Sequence, residues 1–140
     1  MIVLDANAAV AIVRNTEEGR AIRGLAVEGE EILAPYLFIS EVANSLWKYI
    51  RAGEMEPALA SAKTQEAYNY VDTFIPDADL MPEAILEASA MGHSAYDMFY
   101  LVLARRKKAT LFTCDRRLMD ICDIAGVDCI HLEDAKGKPG

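Results

Sequence analysis

The chain alternates short apolar runs with longer stretches of helical periodicity. "MIVL", Met1 to Leu4, is an unbroken apolar run closed by Asp5. It is too short for a buried helix and the right length for a central strand. "AAVAIV" behind it starts a helix, with Asp5 or Asn7 as its cap. A second helix is predicted from Glu17 to about Val27, weakened by Gly19 and Gly24 and released at Gly29. "EILAP" reads as a short strand halted by Pro35. From Leu37 to about Ala52, Val42, Leu46, Tyr49 and Ile50 recur at helical spacing, while Glu41, Asn44, Ser45 and Lys48 fall on a different, polar face. Gly53 ends that helix, and Pro57 opens a long one that runs to about Asp72.

"FIPDADL" reads as a strand or loop, followed by a helix from about Pro82 to Met91 that Gly92 closes. A helix from Ala95 to about Lys108, a strand to Thr113, a helix from Arg116 to Ala125 stopped by Gly126, and the strand "VDCIHL" complete the order. Strands separated by helices define an α/β fold: a central, mainly parallel sheet of four to five strands flanked by helices on both faces. One domain over residues 1–133 is expected, with a frayed tail at 134–140, where no apolar residue follows Ala135. A chain of 140 residues buries roughly two-thirds of the surface its unfolded form exposes, so the core needs no staple.

Charge narrows the choice of partners. Twenty-two acidic against fourteen basic side chains give a net charge of -8, which argues against a large basic nucleic-acid face. Nucleic acid is not excluded by it, because affinity follows the local field and a bound divalent ion changes its sign. Cys114, Cys122 and Cys129 are odd in number and lack C-x-x-C spacing, so they read as buried small hydrophobes of a reduced cytosol. No run approaches 18 apolar residues and no basic leader precedes the first strand, so a soluble cytoplasmic protein with no membrane partner is expected.

The candidate chemistry lies at the ends of elements. A parallel sheet sends its strands one way and binds ligands outside their carboxyl ends. Asp5 follows the first strand directly and Asp115 lies two residues past Thr113, which places both on that rim. Asp97 is expected in the first turn of the helix that leads into the Thr113 strand, and Glu41 in the first turn of the helix after Pro35. Each has an ordinary reading as a helix cap or a first-turn acid. Together in one crevice, four such carboxylates need an offset. A hard divalent cation such as Mg²⁺ or Mn²⁺ suits an oxygen-only set, because only His93 and His131 could supply nitrogen. Such an ion can orient and activate a water for in-line attack on phosphorus.

Arg105, Arg106, Lys107 and Lys108, with the pair Arg116 and Arg117, are the concentrated positive charges that flank this crevice in sequence. They suit phosphate contact, or, for the first four, a helix C-terminus. His93 reads as a helix-end histidine, Tyr96, Phe99 and Tyr100 as core or interface aromatics, and Asp77, Asp79, Glu83 and Glu87 as acidic surface. Trp47 and Phe38, in an apolar patch with Ala52 and Met55, could supply a face for a partner.

Three segments carry a resemblance: "VLDANAAV", "PYLFISEVANSLWK" and "AYDMFYLVLARRKKATLFTCDRRL". In this order and at these separations, from Val3 to Leu118, the chain resembles a PIN-domain ribonuclease, in particular the toxin half of a VapBC-type toxin-antitoxin pair. The resemblance implies metal-binding, catalytic acids at Asp5, Glu41, Asp97 and Asp115, with Asn44 and Thr113 supporting them. It implies Mg²⁺- or Mn²⁺-dependent endonucleolytic cleavage of RNA, a homodimer, and an antitoxin whose tail covers the crevice. Arg116 and Arg117 are then candidate substrate contacts. Arg117 stands where some members carry a further acid, so four acids are expected and not five.

Other proteins with an aspartate after the first strand fit less well. A dehalogenase-like phosphatase would have an acid at Asn7, and a receiver domain would place its phosphoacceptor mid-chain. The alternative reading is a non-catalytic interaction module whose acidic crevice binds RNA or takes a partner's arginine, since a guanidinium fork matches carboxylates.

Overall fold

A computed structural model describes residues 1–25 and 29–131. The end of the expected second helix, at Val27, the expected strand residue Leu132 and the expected tail at 134–140 lie outside the described residues. Within them, strands β1 (Ile2–Leu4), β2 (Ile32–Pro35), β3 (Thr73–Ile75), β4 (Thr110–Thr113) and β5 (Cys129–His131) form one sheet in the order β3-β2-β1-β4-β5, every pairing parallel. Helices α1 (Ala6–Val13), α2 (Glu17–Leu25), α3 (Leu37–Arg51), α4 (Pro57–Asn69), α5 (Asp77–Met91), α6 (Ala95–Lys107) and α7 (Arg116–Ala125) connect them.

All three residues of β1 are buried, although successive strand side chains point to opposite faces, so both faces of the central strand are covered. Helix α6, with Met98 and Tyr100 to Ala104 buried, packs across β1, β2 and β4, while α1 packs against α2, α3 and α4. Gly19 makes the α1–α2 crossing possible. A Cβ built there would stand 2.0 Å from the Ala11 carbonyl oxygen and 2.6 Å from the Ile12 Cα, so the two backbones meet with no side chain between them.

The chain runs β1 to β2 to β3 on one side of the sheet and then returns to β4 on the other side of β1. Strand order therefore reverses between β1 and β4. Their register pairs Leu4 with Phe112, which sets Asp5 beside Thr113 at the carboxyl rim where parallel sheets open a crevice.

Several boundaries differ from expectation. Helix α5 starts at Asp77, not Pro82, and Pro82 lies inside it. Proline removes one amide donor, but Asp77 and Asp79 favour the N-terminus of this helix and the Asp77 Oδ1 accepts the Leu37 N–H at 3.0 Å. That bond also fixes the start of α3 directly after β2, which moves Glu41 one turn into the helix, past the first turn. Glu41 thus gains nothing from unsatisfied amides at the helix end. Phe38 is core rather than partner surface, whereas Trp47 is about half exposed.

Candidate active site

Asp5 occupies the position before α1, but its side chain makes no capping bond there. Its carboxylate turns to β4, where the fully buried Thr113 hydroxyl donates to Oδ2 at 2.8 Å. The same hydroxyl accepts the Asp115 N–H at 3.0 Å. Asn7, the second residue of α1 rather than the residue before it, accepts the Cys114 N–H on its Oδ1 at 2.9 Å. Two side chains from the β1 end thus clamp the three-residue segment that carries Asp115.

Asp115 is the N-cap of α7: Oδ1 accepts from the Arg117 N–H at 2.9 Å and the Leu118 N–H at 3.3 Å. Asp97 lies in the first turn of α6 as expected, and its Oδ2 stands 2.5 Å from the His93 Nε2. Glu41 accepts the hydroxyl of Tyr100 on Oε1 at 2.7 Å. In each of the four carboxylates, then, the protein engages one oxygen. Among the described residues, the second oxygens of Glu41, Asp97 and Asp115 accept no side-chain or capping bond.

The electrostatics confirm that the four acids share one neighbourhood. Burial pushes Asp5 up to about 7, with the Thr113 hydroxyl opposing and the charges of Asp97 and Glu41 adding to the rise. Burial also raises Glu41, against the pull of Tyr100 and with Asp97 and Asp77 adding. Asp97 is raised by burial, opposed by His93 and reinforced by Asp115. Burial and the charges of Asp5 and Glu41 raise the Tyr100 phenol, so Tyr100 stays the donor to Glu41.

His93, Asp97 and Asp115 each offer a ligand atom within 4.8 Å of the others, and Asp5 and Glu41 adjoin this group electrostatically. The donor set fits a hard divalent cation: convergent carboxylates, of which Asp5, Glu41 and Asp97 are raised by burial and mutual repulsion. It departs from the oxygen-only expectation by one imidazole. The His93 side chain is 8% exposed and lies against Asp97, and among the described residues its buried Nδ1 has no partner.

The supporting residues divide. Thr113 is central, as expected, while Asn44 is exposed and makes no side-chain hydrogen bond among the described residues. The Arg117 guanidinium donates to the Gly92 carbonyl at 2.9 Å and so ties α7 to the turn that bears His93. Arg116 opens α7 beside Asp115. Of the basic run, Arg105 pairs with Glu87 at 2.8 Å and Arg106 with Glu83 at 2.7 Å, so these two charges are neutralised on α5 rather than offered to phosphate. Cys114 and Cys129 are half-buried instead of buried, and among the described residues no disulfide joins the cysteines. Tyr100, Asn7 and His93 are site residues that the local sequence pattern did not mark, and only His93, four residues before Asp97, carried a readable signal.

A parallel α/β domain with carboxylates gathered where strand order reverses defines a class of proteins with an acidic crevice, here a candidate cation site. The chain belongs to the PIN domain family, whose model matches residues 2–124. It is 28% identical over 121 residues to Ribonuclease VapC3 of Pyrobaculum aerophilum, covering 85% of this chain and 92% of that protein. It is 32% identical over 120 residues to Ribonuclease VapC9 of Mycobacterium tuberculosis, covering 86% and 90%. Among solved structures it is similar to PAE2754 from Pyrobaculum aerophilum, with a TM-score of 0.71 at 23% identity over 95% of this chain and 90% of that one. It is also similar to VapBC-1 from nontypeable Haemophilus influenzae, with a TM-score of 0.65 at 12% identity over 95% and 99%. These two structural likenesses speak for the fold.

Proposed function

We propose that the chain is a metal-dependent endoribonuclease, the toxin of a toxin-antitoxin pair, acting in the cytoplasm as a homodimer and held in check by an antitoxin. The observation that carries this reading is the convergence of Asp5, Glu41, Asp97 and Asp115, each with one oxygen anchored, at the β1–β4 reversal. The family and the curated relatives, which are named as ribonucleases, support it. Among the described residues no helix is long and apolar enough to cross a membrane.

Asp97 and Asp115, with Asp5 and Glu41, would hold Mg²⁺ or Mn²⁺, and His93 adjoins them. When bound, the ion offsets the crowded carboxylates, polarises the attacking water and neutralises charge on the phosphate oxygens. The chain's own part is to position. Thr113 locks Asp5 to Asp115 as one wall, the His93 contact sets the rotamer of Asp97 opposite, and Tyr100 holds Glu41 at its side. No covalent nucleophile is at hand. The Cys114 thiol is pushed up to about 12 by burial and by the charges of Asp5 and Glu18, so it stays protonated. Water is therefore the attacking group.

The test is cleavage of total RNA in Mg²⁺ or Mn²⁺ by the wild type and by Asp97→Asn, with sequencing of the new 5′ ends. Cation-dependent cuts that vanish in a folded D97N are expected. Equal cutting by D97N, with the same cation dependence, would refute the assignment.

A further inference from the structure

An acidic crevice with a bound cation can receive one phosphate, but an RNA substrate brings the phosphates on either side as well. The net charge of -8 repels them, so local cations must lie beside the crevice. The basic run at the end of α6 does not serve, because Arg105 and Arg106 are paired with Glu83 and Glu87. Arg117 is turned onto the Gly92 carbonyl.

A groove of about 430 Å³ between α1, the start of α2 and α3 has Asn7 and Cys114 among its lining residues. Asn7 lies two residues from Asp5, and Cys114 adjoins Asp115, so the groove borders the acid cluster at that end, although none of the four acids lines it. Arg14 and Lys48 line it, and Glu18 is its one carboxylate. Neither cation forms an ion pair among the described residues. The Arg14 guanidinium lies 3.9 Å over the Tyr49 ring and donates through Nη1 to the Tyr49 hydroxyl at 2.7 Å, which fixes its plane and leaves its other N–H groups unused. Asn7 spends its Oδ1 on the Cys114 amide, so its NH₂ is available at the end nearest the acids.

We propose that this groove is the subsite for the single-stranded RNA flanking the scissile phosphate, with Arg14 and Lys48 binding backbone phosphates and the Asn7 NH₂ donating at its inner end. The proposal rests on the nuclease reading for which phosphate is cut, but not for RNA binding itself. A preset guanidinium loses less freedom on binding than a loose one, which suits a fixed path for the strand. Two cations along one groove, without an ion pair among the described residues, favour a polyanion as its occupant.

The experiment is fluorescence anisotropy of a 5′-fluorescein single-stranded RNA 12-mer with D97N, which leaves RNA intact, and with D97N carrying R14Q and K48Q. R105Q/R106Q in the same background is the control. The groove variant should bind about tenfold or more weakly at 0.1 M salt, and its slope of log affinity against log salt should be shallower by roughly 1.4, the value for two lost contacts to a single strand. The control should match D97N. With D97 intact, R14Q/K48Q should raise KM and leave kcat near wild type.

Arg14 contacts Tyr49, so a Lys48→Glu variant, altering an exposed side chain, checks the result without disturbing that pair. Affinity and salt slope equal to those of D97N, in both groove variants, would overturn the proposal and give the groove to a protein partner. Failure of D97N itself to bind RNA would overturn it too. Weakened binding together with a wild type that cuts no RNA would uphold the groove and reject the nuclease.

Discussion

The Thr113 hydroxyl donates to Asp5 Oδ2 at 2.8 Å while accepting the Asp115 N–H at 3.0 Å, so one buried side chain couples two acids from opposite ends of the chain. Its replacement by an isostere is the most direct probe of the cluster. Thr113→Val leaves a buried carboxylate without its donor and an amide without its acceptor, which should cost about 2–3 kcal/mol in urea denaturation. Loss of such an orienting partner typically lowers metal affinity or activity by about 10–100-fold. Thr113→Ser keeps the hydroxyl and should retain most of both. A Val variant as active as wild type would show that the coupling is incidental.

The metal-free protein should lose stability as pH rises from about 4 to about 7. Asp5 has a folded-state pKa of about 7 against 3.8 for the free side chain, so between these values the folded state holds a proton that the unfolded state has released. Stability is then fully present below the unfolded value and declines until the carboxylate ionises in the fold. The upward shift is worth on the order of 4 kcal/mol by linkage. Glu41 and Asp97, also raised, act in the same direction. Asp5→Asn should flatten the decline and melt higher than wild type at pH 8 while losing activity. Melting curves at pH 5 and pH 8 decide it; a wild type that gains stability over this interval contradicts the assignment.

Tyr100→Phe removes a fully buried hydroxyl whose hydrogen bond holds the Glu41 carboxyl down against burial. Glu41 should then ionise at higher pH, and the acid limb of the pH–rate profile in Mn²⁺ should move upward. A stability loss of about 1–2 kcal/mol should accompany it. An unmoved acid limb would exclude Glu41 from the ionisations that govern activity.

Gly19→Ala tests the fold rather than the chemistry. The added methyl would collide with the Ala11 carbonyl and the Ile12 backbone, and backbone cannot swing aside as a side chain does. Separating α1 from α2 should cost about 1–3 kcal/mol, read from the denaturation midpoint. A neutral substitution would mean that the helices sit farther apart.

Local rules located the elements whose signals agree. Arg116 to Ala125 matches α7 because Asp115 caps one end and Gly126, with φ 72°, closes the other. Pro82 misled because proline is commonest at a helix start, while the true start at Asp77 depends on a bond to Leu37, 40 residues away. The acids after β1 and β4 were legible since a parallel sheet delivers its strand ends to one rim, which is the reason Asp5, Asp97 and Asp115 meet. Partners joined across the chain were not. Nothing near Tyr100 marks it as the donor to Glu41, 59 residues away, and nothing near Arg105 assigns it to Glu87.

The pairing of β4 with β1 spans more than a hundred residues, and Asp5 meets Thr113 only across it. A nascent or proteolytically clipped chain that holds β1 and α3 but lacks α6 and β4 carries Asp5 and Glu41 alone, half a centre. The four-acid centre therefore awaits completion of the sheet, and the topology itself withholds it until the whole domain has been made.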